Sequence, residues 1–295
     1  MKQSRAIGFI VIAAIYVAAA FVGVFVFRAL PDSQIFVRVL AGDAIATVFV
    51  YLAGVLLKNA SVYDPYWSLA PIAILTGVAI FLGSSGKTEP GVILLLLAVW
   101  YWGIRLTANW AHTFKNLATQ DWRYDGFKSK YPRVFQLVSF FGINMFPTMV
   151  VYLCVLPGIA FIGNSACNAL TAAGFALCLM AATLQLVADV QMHRFRRENA
   201  GKRQIIRDGL WKHSRHPNYL GEILMWWGVY VMMISSGWGM WYLGAGALVN
   251  TLMFLFVSIP LADRRNREER PGYDGYAAET NRLLPFKLNL PRLKS

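Results

Sequence analysis

Residues 214–222 read Ser-Arg-His-Pro-Asn-Tyr-Leu-Gly-Glu and join a strongly basic stretch to an almost wholly apolar one. Eight lysines and arginines lie within 191–218, whereas 223–235 carries no charged residue. Cations and amide donors at the mouth of a membrane helix are what a phosphate-bearing cofactor needs if its reactive end is to reach into a bilayer. A simpler interpretation is a basic loop that only obeys the positive-inside rule. That interpretation does not account for Glu222 just inside the apolar helix, so we favour a binding site.

The composition of the chain is that of an integral membrane protein. Of its 295 residues, 57% are hydrophobic and 15% are charged, whereas a soluble domain is about half apolar and a quarter charged. The net charge of +13 would suggest a nucleic-acid partner in a soluble protein. Here the cations are concentrated in a few loops, so we expect no nucleic acid. Three cysteines without paired spacing and four scattered histidines predict neither disulfides nor a metal site.

Eight hydrophobic segments approach the roughly 20 residues needed to cross a bilayer. They fall at 6–28, 36–57, 66–84, 91–111, 134–162, 166–190, 219–235 and 238–262. The last two are short and close together, which predicts a tight hairpin and leaves a total of seven spans open. The first is too long for a signal peptide and is expected to stay as a helix. We therefore predict an all-α, polytopic membrane helix bundle of seven to eight transmembrane helices, without a Rossmann domain because no Gly-x-Gly-x-x-Gly follows a strand.

The distribution of cations predicts the orientation of these helices. If the N-terminus is cytoplasmic, 24 of the 28 lysines and arginines lie in cytoplasmic segments and three lie on the opposite side. The cytoplasmic segments are then 1–5, 58–65, 112–133, 191–218 and 263–295. This asymmetry follows the positive-inside rule. We expect both termini and every polar motif of the chain on the cytoplasmic face.

Two polar features lie at the cytoplasmic edge of the first half of the chain. Asp64 precedes Pro65 at the start of the third span, where a helix N-cap explains it as well as a functional carboxylate does. The cluster Asp-Trp-Arg-Tyr at 121–124 is equally compatible with a site and with a solvated loop. Neither feature decides its own role from the sequence.

Polar residues inside the spans share helix faces. Each such residue costs on the order of 2.5–3.5 kcal/mol at mid-bilayer and normally faces a partner inside the bundle. Tyr101 and Arg105 are four residues apart, so they lie on the same face. Asp189, His193 and Arg196 follow at spacings of four and three, so they form a second polar face that leads into the basic loop.

Five features of the chain together resemble the steroid 5-alpha-reductase family, in particular its bacterial members. They are the basic loop, the 214–222 segment, the short hairpin, a Gly-Tyr-x-x-Tyr sequence and Leu-Pro-Phe near the end. The resemblance extends over about 185–290 and, more weakly, over about 60–130. It implies a reductase of the bacterial inner membrane that uses NADPH to saturate the conjugated double bond of a 3-oxo-4-ene steroid. The implied organisation is one membrane reductase domain over 1–295, with N-terminal spans in 1–57, a substrate-side half in 58–133 and a cofactor-binding half in 134–295.

The resemblance also assigns residues to the cofactor. By position, Asn218 and Glu222 are implied to hold the nicotinamide end of NADPH. Asp189 and Arg196 are implied to hold its adenosine-phosphate part. Gln185 stands where the family has an asparagine.

Further polar residues beside these segments are expected to contact the cofactor. They are Arg105, Arg123, Tyr124, His193, Arg215, His216, Tyr219, Arg265, Glu268 and Tyr276. His216 could instead cap the following helix, and Tyr219 could be an interfacial anchor. We expect NADPH to be preferred over NADH, because the 191–215 loop offers many cations to the additional phosphate.

The substrate carbonyl is implied to meet Asp64 and Tyr101, as the counterparts of a carboxylate and a tyrosine of the family. Aspartate in place of the family's glutamate shortens the reach by one methylene group. Hydride addition to an enone needs a polarised carbonyl oxygen, because negative charge develops there in the transition state, and a tyrosine hydroxyl with a protonated carboxyl can donate the hydrogen bonds. The expected substrate is steroid-like or another apolar lipid enone that enters from the bilayer, while the cofactor enters from the cytoplasm.

Two other functions are compatible with the sequence. Isoprenylcysteine carboxyl methyltransferases have a similar Arg-His-Pro-x-Tyr segment and a carboxylate pair in the tail, matched here by Glu268 and Glu269, and they bind S-adenosylmethionine. A lipid-binding or transport protein would need no cofactor. Glu222 and the many phosphate-matching cations favour NADPH, and the concentration of polar groups at one site disfavours the transport protein.

Overall fold

The computed structural model describes residues 4–83 and 89–286, and helices account for most of them. The helices used below are α1 (Arg5–Ala29), α2 (Ile35–Leu57), α3 (Tyr66–Gly83), α4 (Pro90–Thr113), α5 (Trp122–Lys130), α6 (Phe135–Gly163), α7 (Ala169–Glu198), α8 (Pro217–Ile234), α9 (Trp241–Glu269) and α10 (Tyr273–Glu279). Within the described ranges there is no strand, only an isolated bridge between Ser214 and Asn281. The predicted all-α class is confirmed. Residues 1–3, 84 and 287–295 of the predicted segments lie outside the described residues.

Seven of the described helices are long and apolar enough to cross a membrane, and the chain is therefore a multi-pass membrane protein. They are α1, α2, α3 with the 3-10 turn before it, α4, α6, α7 and α9. The 18-residue helix α8 lies beside α7 and runs antiparallel to it. Near its start Gly221 packs on Gln185, and just past its end Ser235 accepts a hydrogen bond from Asn168. The prediction of seven to eight helices in the bundle is confirmed.

Glycines allow α7 and α8 to approach closely. Gly174 of α7 lies against the backbone of Gly228 and Met232, and Gly228 in turn lies against the backbone and sulfur of Cys178. Small residues at a membrane helix interface bring two backbones together and increase their van der Waals contact. This close contact joins the two helices that carry seven of the fifteen predicted cofactor residues.

Gly228→Val should lower the thermal stability of the purified protein in detergent. A Cβ atom at this position would lie 2.5 Å from the Cys178 sulfur and 3.0 Å from its backbone nitrogen, so α7 and α8 would have to separate. Overpacking of this kind costs about 1–3 kcal/mol. Gly77→Val is the matched control, since a Cβ atom at Gly77 meets nothing within 4 Å. Equal destabilisation of the two variants would contradict the packing argument.

The segments predicted to be cytoplasmic meet at one end of the bundle. Their connecting contacts are Arg5 to the Ala111 carbonyl (2.8 Å), Asn59 to the Leu117 carbonyl (2.8 Å), Arg265 over the Trp122 ring (3.9 Å) and Arg215 to Asp263 (3.0 Å). This common end agrees with the partition of cations predicted from the sequence. The side of the membrane that it faces stays a prediction.

Two helices contain π-helical segments near this end. They are Ser139–Met145 in α6 and Phe254–Ser258 in α9. A proline follows each segment within two residues, Pro147 and Pro260, and its missing amide removes one regular helical hydrogen bond. Helix α9 continues to Glu269, beyond the predicted end at residue 262, so the first cations of the tail are helical.

Candidate functional site

A cavity of about 1200 Å³ lies at the end of the bundle where the basic segments meet. A pocket for one small molecule usually measures about 300–1,000 Å³, so this cavity has room for a cofactor and a substrate together. Polar and charged side chains from α4, α5, α7, α8 and α9 line it, together with Asp64, which follows the 3-10 turn Ala60–Tyr63. Its apolar lining includes Trp67, Leu106, Val150, Val151, Trp226 and Met253. The cavity therefore combines a charged region with an apolar one.

Most of the residues predicted from the sequence to form a site line this cavity. They are Asp64, Arg105, Arg123, Tyr124, Gln185, Asp189, His193, Arg196, Arg215, His216, Asn218, Tyr219, Glu222, Arg265 and Tyr276. Tyr101 and Glu268 are not among its lining residues. The fold thus brings together side chains from both the predicted substrate half and the predicted cofactor half.

Glu222 is a buried carboxylate held by three N–H donors. Its Oε2 accepts from the Trp102 indole at 2.8 Å and from the Gln185 amide at 3.0 Å. Its Oε1 accepts from the Trp226 indole at 3.0 Å. Gln185 in turn accepts a hydrogen bond from Arg105, which connects the carboxylate to a cation. A carboxylate oxygen can accept two hydrogen bonds, so Oε1 retains one acceptor position for a ligand.

Arg105 of α4 and Asp189 of α7 form an ion pair of 2.8 Å with side chains that are 5% and 13% exposed. The Arg105 Nε is buried without a hydrogen-bond partner. The Asn218 amide lies 3.5 Å from the other oxygen of Asp189, a long hydrogen bond that leaves its donor available to a ligand. His193, the next residue on this face of α7, pairs with Asn109 at 2.6 Å. The predicted polar faces of α4 and α7 therefore pair with each other across the cavity wall.

The 214–222 segment is bonded to α9 and to the tail by Asp263, a residue that was not predicted from the sequence to belong to the site. Its Oδ2 accepts from Arg215 at 3.0 Å, and its Oδ1 accepts from the Tyr273 hydroxyl at 2.5 Å and bonds the His216 Nε2 at 2.8 Å. His216 occupies the N-cap position of α8, but its side chain bonds Asp263 and makes no capping hydrogen bond. Tyr219 stacks on the His216 ring at 5.2 Å and lines the cavity, so it is not merely an interfacial anchor.

Asp64 pairs with Tyr124 in the part of the cavity that the predicted substrate half lines. The Tyr124 hydroxyl donates to the Asp64 carboxylate at 2.7 Å. Burial, and then the neighbouring Asp64 carboxylate, raise the pKa of the Tyr124 phenol well above its usual value, so the hydroxyl stays protonated and able to donate. Asp64 is thus a lining residue rather than only a helix cap. Since Tyr124 is 8% exposed, residues 121–124 are not simply a solvated loop.

The structure does not bring Tyr101 and Glu268 to the cavity. The Tyr101 hydroxyl lies 3.1 Å from the Thr183 hydroxyl, where α4 meets α7. Glu268 forms an exposed ion pair with Arg264 at 2.9 Å. The tyrosine beside Asp64 is Tyr124, from the loop helix α5. Local spacing could not reveal this pairing, because the two partners are 60 residues apart.

The charged side of the cavity offers cations for an anionic ligand. Arg123 is held by Asp121 through contacts of 2.8 and 3.1 Å, and Arg265 stacks over Trp122. Arg196 also lines the cavity and forms no ion pair with any other described residue. A guanidinium without a carboxylate partner is suited to a phosphate.

The chain matches a known protein family over the residues that line the cavity. The model of a family described as a protein of unknown function (DUF1295) matches residues 50–280. An uncharacterized protein of Schizosaccharomyces pombe is 25% identical over 260 residues, which cover 77% of this chain and 73% of the relative. No solved structure matches the chain. The family match includes every lining residue named above and leaves out α1.

Proposed function

The chain belongs to the DUF1295 family, and from its cavity we propose that it is a membrane reductase that uses NADPH to saturate the conjugated double bond of an apolar enone, such as a 3-oxo-4-ene steroid. One observation carries this proposal. A single cavity combines cations and amide donors suited to a dinucleotide phosphate with an apolar wall beside the Asp64–Tyr124 pair. The resemblance to steroid 5-alpha-reductases over 185–290 supports the same chemistry.

The donor and acceptor set of the cavity fits the cofactor. The free acceptor position on Glu222 and the loosely held amide of Asn218 match the two hydrogen-bonding groups of a nicotinamide carboxamide. Arg196 and Arg270 at the charged side match the phosphates. When bound, NADPH supplies the hydride. By holding Arg215, Asp263 positions the start of α8, which carries Asn218.

The Asp64–Tyr124 pair is assigned to the substrate carbonyl. As hydride adds to the β carbon, the electron pair of the double bond shifts through the α carbon toward the carbonyl oxygen. In the complex the Tyr124 O–H turns from Asp64 to this oxygen and stabilises the enolate by donating a hydrogen bond, while a protonated Asp64 donates to the Tyr124 oxygen and orients the hydroxyl. The enolate then takes a proton from water at its α carbon as the carbonyl re-forms. The apolar wall favours an aliphatic ring system and keeps water from the reacting carbons.

A methyltransferase is the main competing proposal. The tail carboxylates that match that family are both paired with arginines, Glu268 with Arg264 at 2.9 Å and Glu269 with Arg265 at 2.8 Å. Glu268 also lies outside the cavity lining. A cationic sulfonium gains little from arginine-rich surroundings. These observations favour NADPH over S-adenosylmethionine.

Ligand-induced stabilisation separates the proposals. NADPH should raise the unfolding temperature of the purified protein more than NADH does, whereas S-adenosylmethionine should leave it unchanged, since a ligand at 100 times its Kd stabilises by about 2.7 kcal/mol. Arg196→Ala should weaken NADPH binding about tenfold or more, the effect of losing a charged hydrogen bond, with a smaller effect on NADH. Arg194→Ala is the matched control, because Arg194 is exposed and pairs with Glu198.

Stabilisation by S-adenosylmethionine alone would favour the methyltransferase. No stabilisation by any of the three ligands would favour a lipid-binding protein. Equal affinity for NADPH and NADH in the wild-type protein would contradict the phosphate role of Arg196.

A further inference from the structure

Asn250 of α9 is a buried residue of the cavity lining whose amide donor has no hydrogen-bond partner. It is 3% exposed, it lines the cavity, and its Nδ2 has no hydrogen-bond partner. Apolar residues that also line the cavity include Met253, three residues further along α9, and Trp226 of α8. A buried amide donor is unfavourable unless an acceptor satisfies it. A ligand that places an oxygen atom here would supply that acceptor.

The position of Asn250 along the bundle distinguishes it from Glu222, which is assigned to the cofactor. The adjacent Thr251 accepts a hydrogen bond from the Trp227 indole at 3.0 Å, which places Asn250 level with 226–227 on α8. Glu222 lies about five residues earlier on the same helix, on the order of 7 Å nearer the basic end of the bundle at 1.5 Å per residue. The acceptor for Asn250 is therefore expected to lie deeper than a group held by Glu222.

Asn250 and Asp64 lie on different walls of the cavity. Helix α6 packs against both α3 and α9, so it lies between the wall that begins with Asp64 and the wall that carries Asn250. Thr148 of α6 bonds the Tyr63 hydroxyl at 2.8 Å on the first side. The Gly246 backbone meets Leu153 of α6 on the second. A ligand that fills the cavity can thus be held by hydrogen bonds from two different walls.

We propose that Asn250 binds a second oxygen of the substrate, at the end remote from the enone carbonyl. The substrate class is then a rigid apolar enone with a keto or hydroxyl group at its far end, and not a purely hydrocarbon-tailed enone. This inference rests on the proposed function, because Asp64 and Tyr124 are assigned to the enone carbonyl. The amide of Asn250 supplies selectivity, since a site built to satisfy a hydrogen bond rejects an analogue that lacks the matching group.

Two ketones that differ by one oxygen test the inference. Equilibrium binding of androst-4-ene-3,17-dione and androst-4-en-3-one to the purified protein is measured with and without NADPH, followed by NADPH-dependent reduction of each. Wild type should bind the dione about tenfold or more tightly than the mono-ketone, the effect of one buried hydrogen bond. Asn250→Leu should bind the two ketones equally. Thr251→Val is the control, since Thr251 does not line the cavity, and it should keep the preference.

Stability provides a second measurement. Asn250→Leu should unfold at the same temperature as wild type or higher, because it replaces an unpaired buried donor by an apolar side chain of similar size. A lower unfolding temperature with an unchanged ketone preference would make Asn250 a structural residue and overturn the inference. Weaker NADPH binding with an unchanged preference would assign Asn250 to the cofactor and would overturn it too.

The same experiments distinguish a failure of the proposed function from a failure of the role of Asn250. If wild type distinguishes the two ketones through Asn250 but reduces neither with NADPH, the reductase proposal fails and the second-oxygen site stands as a binding site. If both ketones are reduced at equal efficiency and bound with equal affinity, the reductase proposal stands and the role of Asn250 fails.

Discussion

Tyr124→Phe should lower turnover of a 3-oxo-4-ene steroid with NADPH about 100-fold or more, by analogy with the loss of one oxyanion-hole donor. In the proposed reaction the Tyr124 hydroxyl, which Asp64 orients, donates to the carbonyl oxygen, and this hydrogen bond matters most when charge develops there. Cofactor affinity should not change, since Tyr124 is assigned to the substrate. The measurement is single-turnover reduction by wild type and variant at matched protein amounts.

Tyr101→Phe is the matched control for this prediction. It removes the same atom from a tyrosine whose hydroxyl meets Thr183 at 3.1 Å outside the cavity lining. Turnover in this variant should stay within a fewfold of wild type. An inactive Tyr101→Phe variant together with an active Tyr124→Phe variant would contradict this prediction. It would indicate that Tyr101 bonds the carbonyl oxygen, as the family resemblance implied.

Asp263→Ala should destabilise the protein by about 3–5 kcal/mol, the usual effect of removing one partner from a buried ion pair. The change leaves Arg215, His216 and Tyr273 without their shared acceptor, with Arg215 10% exposed in its side chain. Release of the 214–222 segment should also weaken NADPH binding. Both effects are measurable as a lower unfolding temperature in detergent and a smaller shift on addition of NADPH.

Asp274→Ala provides the comparison for Asp263. Asp274 pairs with Arg267 at 2.9 Å, but its side chain is 83% exposed. An exposed ion pair contributes about 0–1 kcal/mol, so this variant should resemble wild type in both measurements. Equal losses in the two variants would show that the Asp263 cluster does not hold the segment in place.

Composition and local spacing were enough to predict the class of the fold. Long apolar segments cross a bilayer whatever their tertiary contacts, because an unpaired backbone group is too costly in lipid for anything but a helix or a closed barrel. The clustering of cations likewise predicted which loops share one end. Residues on one helix were also predictable, since Asp189, His193 and Arg196 share a face at spacings of four and three.

Only the tertiary structure shows which residues pair with these polar helix faces. Spacing along a helix determines which side chains point the same way, but not which helix lies opposite, and that depends on packing between segments far apart in the sequence. Tyr124 meets Asp64 because α5 folds back over the start of α3, whereas Tyr101 turns toward α7. Asp263 became the centre of a cluster only when α9 met the 214–222 segment. In the sequence, Asn250 is a single amide within an apolar helix. Its donor is buried and unpaired because α6, α8 and α9 pack around the cavity.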